Sequence, residues 1–130
     1  MYNSINHPWS IGDKQRQKYG DTWADMDFVF HTKIMTDTFK EDPMNTTVGQ
    51  LNLFNQHIDL RYKDLLNIPK ILQEQYNETR MMRMAQDYQI AITIRNAQFT
   101  LTQHELRKLI ETLNEAAIST MRGYELGLYL

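Results

Sequence analysis

The feature that most constrains the fold is a change of period between Gln89 and Met121. Apolar residues first alternate with small or polar ones in two short runs, 90–94 and 99–102, which are separated by Asn96-Ala97. Alternation of β-branched and aromatic residues is typical of half-buried strands, and a break containing Asn favours a turn. The pattern predicts a β-hairpin, although the preferred Asn-Gly pair is missing. The alternative is one extended strand with a bulge.

A helix should follow this pair of strands directly. Thr102 and Glu105 have the Thr-x-x-Glu spacing of a capping box, in which each side chain accepts a hydrogen bond from a backbone N–H that the first helical turn leaves unpaired. Gly123 is the expected C-cap. The apolar residues recur at helical spacing and predict one buried face. They are Leu106, Leu109, Ile110, Leu113, Ala116 and Ala117.

The earlier part of the chain contains apolar residues three or four positions apart, the spacing of an amphipathic helix. A first helix is predicted from Trp23 to about Phe39, with a stripe made by Trp23, Met26, Phe30 and Ile34. A second is predicted from Thr47 to about Asn67, opened by a box of Thr47 and Gln50. Its stripe is Leu51, Phe54, Ile58, Tyr62 and Leu65.

Pro69 suits the first turn of a third helix, which would end near Asp87, because a missing N–H costs nothing at that position. The alternative is one long helix from Thr47 that bends at Pro69. Together these patterns predict an α+β, mostly α fold with three or four helices and a small antiparallel strand pair near residues 89–102. The breakers among residues 1–20 predict an irregular arm, followed by a single helical domain over 21–130.

Composition narrows the function classes. The chain has no Cys among its 130 residues, which excludes disulfides, thiolate metal sites and cysteine nucleophiles. The amino terminus has no apolar run typical of a signal peptide, and no stretch has the length of a membrane span, so we expect a cytoplasmic protein without membrane contact. Net charge is −2, and no basic block marks a nucleic-acid surface.

Titratable residues do not form a recognisable catalytic or metal-binding motif. The four histidines lie on the arm and on different predicted elements, and none has a second His at ligand spacing; they are His7, His31, His57 and His104. Asp27 and His31, four apart on the first predicted helix, are expected to form a surface ion pair or part of a solvated helix face rather than half a metal site. His57 and Asp59, two apart on the second helix, should point to different faces. The sequence therefore predicts no catalytic residue, no metal and no cofactor.

Both ends of the chain carry apolar, aromatic segments that are too short to fold alone and should be covered by docking. We expect the partner interface to use Trp9, Ile11, Tyr124, Leu126, Leu128 and Tyr129. Docking of both ends on their own domain is an equal alternative. The prediction is a non-enzymatic protein–protein interaction module, either a self-assembling component (a homo-oligomer) or an inhibitor or accessory protein of another protein. The composition would suit a phage or mobile-element protein.

Two other functions compete with this prediction. A strand followed by a helix, with Arg95 on the exposed phase, resembles the ribbon-helix-helix DNA-binding regulators, whose paired strands enter the major groove. That architecture needs a second helix, and the nine residues after Met121 include Gly123 and Gly127. The other alternative is a small enzyme with a site assembled from scattered His and carboxylate residues.

Overall fold

The structure, a computed structural model, describes residues 26–31, 41–81 and 89–125, with side chains as far as Gly123 in the last segment. In these ranges the chain forms five strands and two helices. In chain order they are β1 (Met26–Phe30), β2 (Thr47–Leu53), β3 (Gln56–Arg61), α1 (Tyr62–Met81), β4 (Ile90–Ile94), β5 (Ala97–Leu101) and α2 (Gln103–Glu125). The predicted mostly helical fold with three or four helices is therefore wrong.

The first three strands form an antiparallel sheet in the order β1-β2-β3. In β1 the side chains of Met26, Phe28 and Phe30 are buried and the residues between them are partly exposed. The predicted helix from Trp23 to Phe39 is contradicted by this strand. Met26 and Phe30, four apart, fit both a helical stripe and a strand face, and Phe28 decides for the strand because it shares their buried face.

β2 and β3 replace most of the helix that was predicted from Thr47 to Asn67. They are joined by a two-residue turn in which both Phe54 and Asn55 have positive φ, 49° and 66°. Hairpin turns of this kind favour Asn-Gly, and a bulky residue rarely takes positive φ. Phe54 is partly buried against the core, and this packing holds it in the turn.

Gly49 marks a close approach between β1 and β2. The pairing of β2 with β3 shifts by one residue between Thr47 and Gly49, which is a β-bulge. A Cβ atom at Gly49 would lie 2.5 Å from a ring carbon of Phe28 and 2.5 Å from the carbonyl oxygen of Val29. Only glycine fits this position without movement of its neighbours.

α1 begins at Tyr62, immediately after β3. Backbone carbonyls of Thr46 and Met44 accept hydrogen bonds from Tyr62 N and Lys63 N, at 3.0 and 3.1 Å, so the loop before β2 caps the helix. Pro69 lies inside α1, not in the first turn of a new helix as predicted. The helix is continuous through Pro69, but it does not extend back to Thr47 as the alternative prediction required.

β4 and β5 pair as an antiparallel hairpin with Arg95-Asn96 as its turn, and this excludes the single bulged strand. The predicted capping box at the start of α2 is confirmed: Glu105 N donates to Thr102 Oγ1 at 3.2 Å and Thr102 N donates to Glu105 Oε1 at 2.8 Å. Gly123 lies within α2, which continues to Glu125, so its prediction as the C-cap is wrong.

The core lies between the two sheets and the paired helices. α1 and α2 pack along each other, α2 also contacts β1 and β5, and α1 contacts β3. Phe28 and Phe30 meet edge to face, with ring centroids 5.1 Å apart, and both are fully buried. This packing leaves one face of the three-stranded sheet and one face of the helix pair to form the surfaces described next.

Candidate functional site

The face of the three-stranded sheet opposite the core is polar, because each strand places alternate residues on it. Asp27, Asn52 and His57 are cross-strand neighbours in one row. Asn52 Nδ2 donates to Asp27 Oδ1 at 2.7 Å, and Asn52 Oδ1 is hydrogen-bonded to His57 Nδ1. Since the amide oxygen can only accept, the proton of this last bond belongs to His57 Nδ1.

A second pair on this face joins β3 to the end of β1. His31 Nε2 lies 3.5 Å from Asp59 Oδ1. The helix predicted to carry both Asp27 and His31 is wrong, because Asp27 belongs to a strand, where it accepts a hydrogen bond from Asn52. His57 and Asp59 were predicted to point to different faces of a helix, but residues two apart on a strand share a face. Both line the cleft that is described below.

An arginine pair around one carboxylate lies at the end of β3. The Asp64 carboxylate accepts hydrogen bonds from Arg61 Nε, Arg61 Nη2 and Arg95 Nη1, at 3.1, 3.2 and 3.0 Å. It also accepts one from Arg61 N at 2.9 Å, as the third residue of a helix does in a capping box. Asp64 therefore caps α1 and ties the hairpin turn to it.

These partners determine the ionisation of Asp64, whose side chain is only 12% exposed. Burial by itself raises the pKa of this carboxyl. The hydrogen bonds from the side chain and backbone of Arg61, with the charges of Arg61 and Arg95, outweigh burial and hold the pKa of Asp64 below its usual value. Asp64 is consequently ionised at neutral pH, and both arginines surround a negative charge.

Arg95 occupies the first position of the β4–β5 turn with φ of 55°. Residues other than Gly, Asn and Asp seldom adopt this conformation, which costs on the order of 1 kcal/mol or more. The ion pair with Asp64 helps to hold Arg95 in this turn. Although Arg95 is exposed as predicted, it lies in the turn rather than on a strand, and one edge of its guanidinium is bound within the protein.

A cleft of about 470 Å³ opens between β3 and the β4–β5 turn. We call it the arginine cleft and define it by five of its lining residues, His57, Asp59, Arg61, Arg95 and Asn96. These five residues contribute two guanidinium groups, an amide, an imidazole and a single carboxylate. The cleft is therefore rich in hydrogen-bond donors.

A groove between α1 and α2 is a second concave surface formed by the described residues. Two adjoining hollows, of about 520 and 370 Å³, share Leu66, Ala117 and Ile118. Ile118 is 58% exposed beside them, and Met121 and Arg122 line the second hollow. We call this surface the helix groove and define it by these five residues. It is mainly apolar, in contrast to the arginine cleft.

Most residues predicted for the partner interface lie outside the described residues, namely Trp9, Ile11, Leu126, Leu128 and Tyr129. Tyr124 belongs to α2, one turn beyond Met121 in the helix groove, so the predicted interface and the groove are adjacent in sequence. His7 is outside the described residues, and His104 is an exposed residue in the first turn of α2. Interface and domain assignments remain predictions.

Within 26–31, 41–81 and 89–125, no three His, Asp or Glu side chains are grouped so that they could hold a metal ion. In the same ranges, neither helix is long and apolar enough to cross a membrane.

Sequence reasoning missed the arginine pair and the helix groove. Arg61 and Asp64 are three apart, which is a recognisable helix-capping distance once α1 is known to begin at Tyr62. Arg95 is 31 positions from Asp64, and no local pattern connects them. Ile118 could have been identified as the apolar residue on the charged side of α2.

The chain was compared with protein-family models, curated proteins and solved structures, and none of them matches it.

Proposed function

We propose that this chain is a non-enzymatic protein–protein interaction module that self-associates, with the helix groove as the contact between two copies. The observation that supports this most directly is the exposed Ile118 beside an apolar groove. An isologous dimer presents the same patch on both subunits, so a protruding residue next to a hollow fits a second copy of itself. Ile118 of each copy would fill the hollow above Leu66 and Ala117 of the other.

The order of charges along α2 favours antiparallel pairing of the two helices. Glu111 and Glu115 precede Ile118 on the exposed side, and Arg122 follows it. With Ile118 near the twofold axis, Arg122 lies about 6 Å along the helix from the axis, at the level of Glu115 in the other copy. The contact then contains two opposite-charge pairs around an apolar centre, as interfaces with polar rims do.

Sedimentation equilibrium over a range of concentrations tests this proposal. The wild-type chain should be a dimer, and Ile118→Asp should be a monomer, because the change places two carboxylates in the apolar centre. Ile71→Asp is the matched control: Ile71 is 59% exposed on α1 but does not line the helix groove. This control should remain dimeric.

Charge reversal gives an independent check on the helix orientation. Arg122→Glu should weaken the dimer at least several-fold, and the double change with Glu115→Arg should restore much of the loss. A monomeric wild-type chain at high concentration, or dissociation by Ile71→Asp rather than Ile118→Asp, would refute the proposed contact. Circular dichroism on every variant verifies that the fold is retained.

A further inference from the structure

The guanidinium groups of the arginine cleft retain donors beyond those bound to Asp64. Each guanidinium carries five N–H groups. The hydrogen bonds to the Asp64 carboxylate use two from Arg61 and one from Arg95. Arg61 and Arg95 side chains remain 33% and 41% exposed, so their other edges can meet a ligand in the cleft.

The charged groups of the arginine cleft favour an anionic ligand. Two guanidinium groups share one carboxylate, that of Asp64, which leaves an excess positive charge at this end of the cleft. The one carboxylate that lines the cleft itself, Asp59, is 65% exposed and lies 3.5 Å from His31 Nε2. Its charge is therefore screened by water.

The backbone of the hairpin turn also supports a binding role. Arg95 is held at positive φ, and Asn96 beside it adds an amide to the cleft wall. Strained conformations that are retained by surrounding contacts occur preferentially at ligand clamps, where they preorganise a side chain. Here the turn places the Arg95 guanidinium close to that of Arg61, since both donate to the same Asp64 oxygen and both residues line the cleft.

We propose that the arginine cleft binds the oxyanion of a phosphate monoester. Planar guanidinium forks match phosphate oxygens with paired, charge-assisted hydrogen bonds, and two of them can hold one phosphate from two sides. The Asp64 carboxylate fixes both forks, so little side-chain freedom is lost when the ligand binds. The amide of Asn96 completes the set of donors.

The proposal is tested by titrating the full chain with phenyl phosphate at constant ionic strength and measuring the backbone amide chemical shifts by NMR. Saturable shifts are expected at residues 56–61 and 94–97, and phenyl phosphate should bind more tightly than benzoate. Arg95→Gln should weaken binding at least tenfold. Arg107→Gln removes an arginine of similar exposure on α2, outside the cleft, and should change binding less than twofold.

Arg95→Lys retains the positive charge and the contact with Asp64 but lacks the planar fork. Arg95→Lys should also weaken the binding of phenyl phosphate. It replaces Arg95→Gln as the test variant if that substitution disturbs the fold. The proposal is overturned by any of three results: no saturable binding in the millimolar range, equal weakening by Arg95→Gln and Arg107→Gln, or tighter binding of benzoate. None of these depends on the oligomeric state, so the self-association proposal is tested separately.

Discussion

Replacement of Asp64 by Asn is the sharpest test of how the hairpin, α1 and the end of β3 are held together. The variant keeps the shape of the side chain and removes its charge. Three hydrogen bonds from guanidinium groups and one from Arg61 N then end at a neutral amide, and one carboxylate oxygen becomes an N–H₂ group facing a donor. We expect α1 and the β4–β5 turn to lose their shared anchor.

Hydrogen bonds to a charged group contribute about 1.5–3 kcal/mol each, but bonds to one carboxylate are not additive. The Arg61 and Arg95 side chains also remain in contact with water, and this hydration partly offsets the loss of the negative charge of Asp64. We therefore expect Asp64→Asn to lower the free energy of unfolding by about 2 kcal/mol at neutral pH, and Asp64→Ala by about 3 kcal/mol, since it also removes the cap.

The effect should depend on pH in a defined direction. The folded-state pKa of Asp64 lies below its unfolded value, so the carboxylate stabilises the fold fully above an unfolded pKa of about 3.9. This stabilisation is lost as pH falls through the folded-state pKa. Because the Asn variant does not titrate here, the difference in unfolding free energy between the two proteins should shrink from neutral pH toward about pH 3.

Urea unfolding followed by circular dichroism, at equal protein concentration and at both pH values, measures this difference. Asp42→Asn is the matched control, because Asp42 is exposed and its carboxylate accepts a hydrogen bond from the Asn45 side chain. That variant should change stability by less than about 0.5 kcal/mol. An Asp64→Asn protein as stable as the control at neutral pH, or a difference that is undiminished in acid, would refute the proposed role of this carboxylate.

Three further substitutions test the packing and capping in thermal or urea unfolding. Gly49→Ala should lower the free energy of unfolding by about 1–3 kcal/mol, because its Cβ would overlap the Val29 carbonyl. An unchanged midpoint of unfolding would contradict the close approach of β1 and β2. Thr102→Ala should cost about 1 kcal/mol by removing the bond to Glu105 N, and Thr102→Ser should retain most of that stability. Ile94→Ala should cost about 3 kcal/mol, since Ile94 is fully buried, and a loss below about 1 kcal/mol would place it outside the core.

Strand β1 shows why residues 26–30 and 47–61 were wrongly predicted as helical. Apolar residues four apart satisfy a helix, but they also satisfy a strand if the residue midway between them is apolar too. Phe28 is that residue in β1, and its side chain is buried together with those of Met26 and Phe30. In β2, Leu51 and Leu53 alternate with polar residues in the same way. The β2–β3 turn contains Asn55 but no Gly or Pro, and Phe54 also fitted the helical stripe, so the turn was not recognised.

What the sequence determined by itself is the unit from β4 to α2. There the alternating runs, the Asn-containing turn, the capping box of Thr102 and Glu105 and the amphipathic helix all depend on neighbours within a few residues, and they agree with one another. Tertiary structure alone decided the three-stranded sheet and both candidate surfaces. Met26 pairs with Leu53, Arg95 bonds to Asp64, and Ile118 lies beside α1. Each of these contacts joins residues that are distant in sequence, so no local pattern could predict it.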